Sequence, residues 1–228
     1  MTKAQAKKLI TQAKREGRTT LSEYEAKLVL AAYKIPVTQE ILVEKKKELP
    51  GAARTIGYPL VMKGCAAEIA HKTEKNLVRV DVRNKEEALQ AFEEIKTAMG
   101  DAQGGVLVQQ MVSGRRELVM GLTRDPQFGA CVMFGLGGIF TEILKDISFR
   151  KAPLEERDAL EMMGDIKGHK ILGAVRGMPA ADTKALAKML IHIGQIGLDL
   201  EAVAEIDLNP VILSGAKPVA VDALIVLR

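Results

Sequence analysis

The 228-residue chain contains 47% hydrophobic and 27% charged residues, a composition that excludes an intrinsically disordered protein and allows a substantial core. Its net charge of +4 is spread over interspersed lysines and acids. No basic run alternates with aromatic residues, which argues against nucleic-acid binding. A polar N-terminal stretch and the lack of an apolar run long enough to span a bilayer predict a cytoplasmic protein without a membrane partner.

The N-terminal half is predicted to open with two helices. Residues 3–16 repeat with helical spacing. In the second segment, Ser22 and Glu25 form a capping-box pattern, and Pro36 ends the helix because the residue before a proline resists the α conformation. Runs with strand character follow at residues 38–43, 59–64, 76–82 and 105–112. Asn84 caps a further helix between the last two of these runs.

The C-terminal half is predicted to combine strands with two more helices. Strand-like runs occupy residues 116–125, 128–137, 202–213 and 218–227. Helical spacing covers residues 154–166 and 181–197. No internal repeat or low-complexity linker interrupts the chain. The pattern favours an α+β fold with two lobes that meet near residues 110–115.

A candidate metal site lies in the C-terminal strands. Asp207 and Asn209 are two positions apart in a mostly apolar run, so in a strand their side chains point to the same face. Asp222 lies in the next apolar run, and pairing of the two runs would bring it alongside. These oxygen donors suit Mg²⁺ bound together with phosphates. A solvated strand edge is the alternative, although a carboxylate within apolar strands is costly unless it is paired or bound to a metal.

Nucleotide-binding candidates are individually weak. Lys63 ends the apolar run PLVMK and is a point charge suited to phosphate, but alone it resembles an ordinary surface lysine. A strand that runs out into a hinge offers main-chain groups for an adenine edge, and Glu117 could accept ribose hydroxyls. The candidate hinge residues are Gln109, Gln110, Met111 and Val112. The patterns GxGxxG and GxxxxGK[ST] are both absent, which argues against a Rossmann or P-loop nucleotide site.

His71 is one of only three histidines and is followed by Lys72 and Thr73 in the run IAHKTEKNLV. An imidazole nitrogen is a good phosphoryl acceptor, and the neighbouring ammonium and hydroxyl groups would offset and bind phosphate. A surface histidine with no special role is the alternative.

Several stretches in the same order resemble one family. They are LSEYEAKLVLAAYKIPVTQ, PLVMK, EIAHKTE, VLVQQMVSGRRELVMG, FGLGGIFTEILKDISFRKAPL, AEIDLNPVIL and VAVDA. Together they resemble the ATP-grasp (beta) subunit of ADP-forming acyl-CoA synthetases, acetyl-CoA synthetases in particular, from Leu21 to Leu227. The resemblance implies an α+β ATP-grasp fold whose two lobes clamp a nucleotide. It divides the chain into an N-terminal helical arm (1–20), a first lobe with the leading helix (21–112) and a second lobe with the metal site (113–228).

The resemblance also implies a reaction, acyl-CoA + ADP + phosphate ⇌ carboxylic acid + CoA + ATP, with Mg²⁺ as cofactor and ADP or ATP as substrate. An alpha subunit carries the CoA site and a phosphohistidine, and the expected assembly is α2β2. The beta subunit passes the phosphoryl group to ADP.

Individual positions match the family's functional residues. Lys63 matches the phosphate lysine, Gln109 to Val112 the adenine hinge and Glu117 the ribose-side acid. Asp207, Asn209 and Asp222 match the magnesium ligands. The catalytic set is His71 as a phosphate relay, Lys72 beside it, and Arg150 as a phosphate contact. One departure concerns Glu74-Lys75-Asn76, which stands where the family commonly has glycines.

Two other functions stay open at this point. A stand-alone ATP-grasp ligase would join a carboxylate to an amine, but such enzymes usually carry an additional N-terminal substrate domain, and only about twenty residues precede Leu21. A non-catalytic nucleotide-binding module is the other possibility, against which the presence of Lys63, Asp207, Asn209 and Asp222 argues.

Overall fold

The structure is a computed structural model of the chain and describes residues 1–67, 77–138 and 146–228. His71 and Lys72, the proposed phosphate relay and its neighbour, lie outside the described residues. The α-helices are α1 (Lys3–Arg15), α2 (Glu23–Ala32), α3 (Leu49–Ile56), α4 (Lys85–Met99), α5 (Glu156–Asp165) and α6 (Thr183–Asp199). The strands are β1 (Glu40–Val43), β2 (Leu60–Ala66), β3 (Val78–Val82), β4 (Gly104–Gln110), β5 (Glu117–Asp125), β6 (Gly129–Leu136), β7 (Ile147–Lys151), β8 (Val203–Ser214), β9 (Lys217–Ala220) and β10 (Leu224–Leu227). Short 3₁₀ helices cover Lys46–Glu48 and His169–Leu172.

The chain divides into two compact units. The small unit comprises Ser22–Glu25 and Thr38–Met111, and the large unit comprises Met1–Leu21, Ala26–Val37 and Val112–Arg228. The boundary at Met111 lies beside the predicted junction of the lobes. The sequence analysis placed the whole leading helix in the first lobe, whereas residues 26–37 cluster with the large unit.

The small unit is an antiparallel sheet covered on one face by helices. Its described strands lie in the order β1-β4-β2-β3. The core lies between this sheet and helices α3 and α4, and Leu60, Val108, Phe92 and Ile95 are among its buried members. The helix α4 forms where it was predicted because the Asn84 side chain accepts a hydrogen bond from the Glu87 backbone N–H (2.9 Å).

The large unit is a second antiparallel sheet packed against α5 and α6. The described strands follow the order β10-β8-β5-β6-β7, and β9 also pairs with β8. Alternate residues of the strands, such as Leu122, Val132 and Ile206, point to the helices and form the core. Among the described residues, no helix combines the length and the apolarity that crossing a membrane requires. Helices and antiparallel sheets in both units confirm the predicted α+β class.

The predicted strand over residues 218–227 is interrupted in the structure. β9 pairs with the second half of β8 and β10 with its first half, and Val221–Ala223 lie between them. Pro210, at this point of β8, has no N–H to donate to the ladder. The break places Asp222 in the gap between two strands.

Candidate functional site

Lys63 and Gln109 share one face of the sheet in the small unit, and this face is turned away from the unit's apolar core. Leu60 and Val108 point to the other face and belong to that core. Strand alternation directs Lys63 to the same side as Val61, and Val61 is the register partner of Gln109. Lys63 is 5% exposed and Gln109 is fully buried. Polar groups are therefore buried together on this face.

Glu23 is a buried partner of Lys63 that the sequence analysis did not identify. Its Oε1 accepts an ion-paired hydrogen bond from Lys63 Nζ at 2.8 Å, and both side chains are buried. An ammonium is costly to bury without a counter-charge, and Glu23 supplies one. The sequence carried no clear signal for this role, because acids in the first turn of a helix are common for reasons of the helix dipole alone.

The predicted adenine hinge falls on the end of β4 and the two residues after it. β4 ends at Gln110, whose N–H donates to the Gln39 carbonyl (2.9 Å) and whose Oε1 accepts from the Gln39 N–H (3.2 Å). Met111 and Val112 were predicted to continue the strand but have no regular structure, and Met111 is 40% exposed. The sheet thus stops pairing at the point where the hinge was predicted.

Glu117 begins β5 in the large unit and lies against the glycine-rich stretch. Its carbonyl accepts a hydrogen bond from the Gly137 N–H (2.8 Å). A Cβ atom added to Gly138 would lie 2.6 Å from Glu117 Oε2, and Gly138 also has a positive φ of 63°. Only a glycine allows the backbone to pass this carboxylate so closely. Gly137 and Gly138, at the described end of the glycine-rich stretch, therefore lie directly against the predicted ribose-side acid.

Asp207 lies in a negative environment within the large unit. Burial raises the pKa of its carboxyl to about 6, and the charges of Glu205 and Asp222 act in the same direction. The structure thus brings Asp207 and Asp222 close enough to interact, as the predicted pairing of the two runs requires. Glu205, two positions before Asp207, is an additional acid that the sequence analysis did not include.

The strand β8 contains an irregularity at the candidate metal ligands. Leu118 pairs with Val211 and Met120 pairs with Leu208, so Asn209 and Pro210 together oppose one residue of β5. This is the arrangement of a β-bulge, and bulges are frequent beside active sites because they redirect side chains. Asn209 is exposed, whereas Asp207 is half-buried.

Arg150 lies on a different face of the sheet from Asp207. Arg150 pairs with Val132, whose side chain is in the core between sheet and helices. Asp207 shares a row with Gly121, Met133 and Phe149 on the opposite face. The Arg150 Nη2 donates to Asp165 Oδ2 of α5 at 2.5 Å. In this structure Arg150 is engaged by a helix and is not grouped with the candidate metal ligands.

The donor set Asp207, Asn209 and Asp222 is chemically suited to Mg²⁺. In the described part of the chain, no group of three or more His, Cys, Asp or Glu side chains is arranged to hold a metal. The candidate set differs from such groups because one of its members is an amide. Carboxylate and amide oxygens are nevertheless ligands that Mg²⁺ accepts. The raised pKa of Asp207 shows that its negative charge is unfavourable at this position. A bound cation would offset that charge, so the site fits a metal ion.

Comparisons with known proteins identify the family. Residues 12–227 match the ATP-grasp domain. The chain is 41% identical to subunit beta of acetate–CoA ligase (ADP-forming) I from Pyrococcus furiosus, over 98% of each chain. A structure of dinucleotide-forming acetyl-coenzyme A synthetase 1 from Ca. Korarchaeum cryptofilum, in complex with coenzyme A, Ca-AMPCP and HgCl⁺, is 42% identical with a TM-score of 0.94, over 98% of this chain and 100% of that one.

A second structure of the Korarchaeum enzyme contains coenzyme A and Mg-AMPPCP, with a phosphohistidine segment pointing towards the nucleotide binding site. It has a TM-score of 0.88 and 42% identity, over 98% of this chain and 100% of that chain. With its match to the ATP-grasp domain and to a beta subunit along almost its whole length, the chain belongs to the family of ATP-grasp beta subunits of ADP-forming acetyl-CoA synthetases.

Proposed function

We propose that this chain is the subunit of an ADP-forming acyl-CoA synthetase that makes ATP from ADP and a phosphohistidine. The observation that carries the proposal is the half-buried Asp207 beside Asp222 and Glu205, in a chain that aligns end to end with such subunits. Negative charge concentrated in this way is unfavourable by itself and becomes favourable when a cation is bound. In the Korarchaeum enzyme, a magnesium nucleotide analogue is present.

Each candidate residue has a role in this proposal. Lys63 contacts a phosphate of ADP, and Glu23 holds its ammonium in place before the nucleotide arrives. The backbone from Gln109 to Val112 contacts adenine, and the Glu117 carboxylate accepts hydrogen bonds from ribose hydroxyls. Asp207, Asn209 and Asp222 hold Mg²⁺, which when bound offsets charge on the phosphate oxygens.

The transfer itself exchanges one bond to phosphorus for another. An oxygen of the terminal phosphate of ADP forms the new P–O bond while the P–N bond of the phosphohistidine breaks. The imidazole nitrogen keeps the electron pair of the broken bond. The protein contributes positioning and charge rather than covalent chemistry at this step. Lys63, already desolvated against Glu23, is suited to this task because it needs little rearrangement.

We further propose that His71 is the phosphate relay and that an alpha subunit supplies the phosphoryl group. The Pyrococcus relative is a subunit beta, which supports the presence of a second kind of subunit. An α2β2 assembly and a cytoplasmic location are the arrangements that we expect. Lys72 beside His71 offsets the charge of the phosphoryl group, and Arg150 joins the phosphate contacts only after leaving Asp165.

The relay is tested by transfer of labelled phosphate. The candidate alpha subunit is phosphorylated with ³²P, freed of nucleotide and mixed with the wild-type chain, with His71→Asn, or with His169→Asn as a matched control. His169 is an exposed histidine outside the candidate site. We expect acid-labile label on the wild type and on His169→Asn but not on His71→Asn, and we expect Mg-ADP to chase that label into ATP.

Other results would separate the parts of the proposal. Equal rates of ATP formation in all three proteins without label on this chain would exclude His71 as a relay and leave direct transfer from the alpha subunit. Failure to form ATP with any of them would contradict the proposed function. Hydrolysis of Mg-ATP by the isolated chain, coupled to joining a carboxylate and an amine, would instead favour a stand-alone ligase.

A further inference from the structure

A cavity of about 360 Å³ in the large unit has cationic walls and no role in the proposed reaction. Its lining comes from the segment before β5, from a turn at residues 176–179 and from the end of β8. Three arginines line it, namely Arg115, Arg116 and Arg176, and no acidic residue is among its lining residues in the described chain. Such a wall composition points to an anionic ligand.

Arg116 is a buried cation held by main-chain oxygens. It is 2% exposed. Nη1 donates to the carbonyls of Ile171 (3.1 Å) and Gly173 (3.2 Å), and Nη2 donates to those of Pro179 (2.8 Å) and Gly215 (2.9 Å). These bonds join three separate segments around the cavity. They use four of the five N–H groups of the guanidinium and leave the Nε–H without a partner within residues 1–67, 77–138 and 146–228.

The charge of Arg116 has no counter-ion in the described chain. None of the ion pairs among these residues includes Arg116, and carbonyl dipoles alone surround its Nη atoms. A structural clamp explains the four hydrogen bonds. It does not involve Arg115 and Arg176, which line the same cavity and are exposed, so their charges are available to a ligand. A bound anion would offset all three charges.

Arg176 occupies a backbone position that disfavours its own side chain. It has a φ of +47°, and Gly177 follows with a φ of +80°. Reciprocal hydrogen bonds between Val175 and Met178 (2.9 and 3.2 Å) close a tight turn around them. Turns with positive φ at both central residues favour Asn-Gly or Gly-Gly. An arginine here costs conformational energy and brings a guanidinium to the cavity, which is the kind of strain that accompanies function.

We propose that this cavity binds a phosphate monoester carried on a small, partly apolar molecule. A phosphate dianion balances more of the three positive charges than a carboxylate does, and guanidinium groups bind its oxygens in pairs. Met178, Pro179 and Leu213 provide apolar wall for the body of the ligand. None of the residues proposed to bind nucleotide or Mg²⁺ lines this cavity, so the site stands independently of the proposed function.

Phenyl phosphate is a suitable probe because it combines a phosphate dianion with an apolar ring. Calorimetric titration of the full chain, saturated with Mg-ADP to fill any nucleotide site, is compared for phenyl phosphate and benzoate. We expect one phenyl phosphate to bind per chain. The Kd for benzoate should be at least about tenfold higher than the Kd for phenyl phosphate. Binding of benzoate alone, or loss of phenyl phosphate binding when Mg-ADP is added, would overturn the proposal.

Variants identify the site. Arg115→Gln and Arg176→Gly are each expected to weaken phenyl phosphate about tenfold, as the loss of one charge-assisted hydrogen bond does. Arg176→Gly should also raise the melting temperature of the ligand-free chain because glycine accepts the positive φ. Arg157→Gln is the matched control, since Arg157 is an exposed arginine on α5 that does not line the cavity. Equal weakening by Arg157→Gln, or none by Arg115→Gln, would show that the cavity is not the site.

Discussion

Asp207, a proposed metal ligand, should weaken the fold of the metal-free protein. Its folded pKa of about 6 lies above the ordinary value of 3.8, chiefly through burial and then through Glu205 and Asp222. A group with a raised folded pKa stabilises the folded state fully below its unfolded pKa, and this contribution is lost as the pH rises through the folded value. The free energy of unfolding of the metal-free protein should therefore fall between about pH 4 and pH 7.

Asp207→Asn tests this effect. In EDTA at about pH 8, we expect the variant to be more stable than the wild type by about 1–2 kcal/mol, a value reduced from the full shift because the carboxylate is partly exposed. At about pH 3 both proteins should be equally stable, because the wild-type carboxyl is then protonated in the folded and in the unfolded state. Urea denaturation followed by circular dichroism measures both values. A gain of the same size at the two pH values would show that charge is not its cause.

The Lys63–Glu23 pair gives a second prediction at the scale of single residues. Glu23→Gln leaves a buried ammonium without its carboxylate and should cost about 3 kcal/mol of unfolding free energy. The double variant Glu23→Leu/Lys63→Met removes both charges and should cost less than Glu23→Gln alone. Additive losses at about pH 7 in the double-mutant cycle formed by Glu23→Leu, Lys63→Met and the double variant would mean that the two groups do not act as a pair.

At the scale of elements, the packing of α6 depends on Gly197. A Cβ atom there would lie 2.4 Å from Leu122 Cδ1 and 3.0 Å from Ala130 Cβ, so the helix approaches the sheet through this glycine. Gly197→Ala should destabilise the protein by about 1–3 kcal/mol through overpacking, even though alanine has the better helix propensity. Thermal denaturation of the purified variant measures the loss.

Gly164 in α5 is the matched control for Gly197. Apart from the neighbouring residues and the local helix backbone, no atom of the described residues lies within 4 Å of a Cβ built at Gly164. Gly164→Ala should therefore be neutral or stabilise the protein by up to about 1 kcal/mol. If both variants were destabilised alike, helix packing against the sheet would not be the reason.

Elements with a clear local pattern were predicted well, and those set by tertiary contacts were not. The helices capped by Ser22 and Asn84 form as predicted, because hydrogen bonds such as Glu25 N–H to Ser22 Oγ (3.4 Å) are local. α3 (Leu49–Ile56) was not predicted, since it is short and contains Pro50 and Gly51. β7 was not predicted as a strand either, because it is only five residues long and exposes its apolar Ile147 and Phe149 while it buries Ser148.

The same division applies to the candidate site. The order of the runs placed Asp222 near Asp207, because β9 and β10 both pair with β8, but it did not predict the break in which Asp222 lies. Glu23 is 40 positions from Lys63 in the chain, so no local sequence pattern predicts that the two side chains form an ion pair. The direction of Arg150 depends on which face of β7 meets α5, and the sequence of β7 does not specify that. Resemblance to the family supplied the roles of the residues, which spacing does not provide.

For the whole molecule, the proposed function predicts that ligand binding and folding are coupled. A ligand present at 100 times its Kd stabilises the folded state by about 2.7 kcal/mol. Mg-ADP should therefore raise the melting temperature of the wild-type chain, and omission of Mg²⁺ should remove much of the rise. The chain has no tryptophan, so circular dichroism or calorimetry is the appropriate readout.

Lys63→Met separates this coupling from a general effect of nucleotide on stability. The variant will start from a lower melting temperature because it lacks the buried Lys63–Glu23 ion pair, so the quantity to compare is the rise that Mg-ADP causes in each protein. We expect the rise to be largely lost in Lys63→Met and unchanged in Lys184→Met, which removes an exposed lysine on α6. Since a ligand stabilises only through its affinity for the folded state, an equal rise in all three proteins would mean that Lys63 contributes nothing to nucleotide binding. That result would contradict the phosphate contact proposed for Lys63, and it would not bear on the proposed Mg²⁺ ligands.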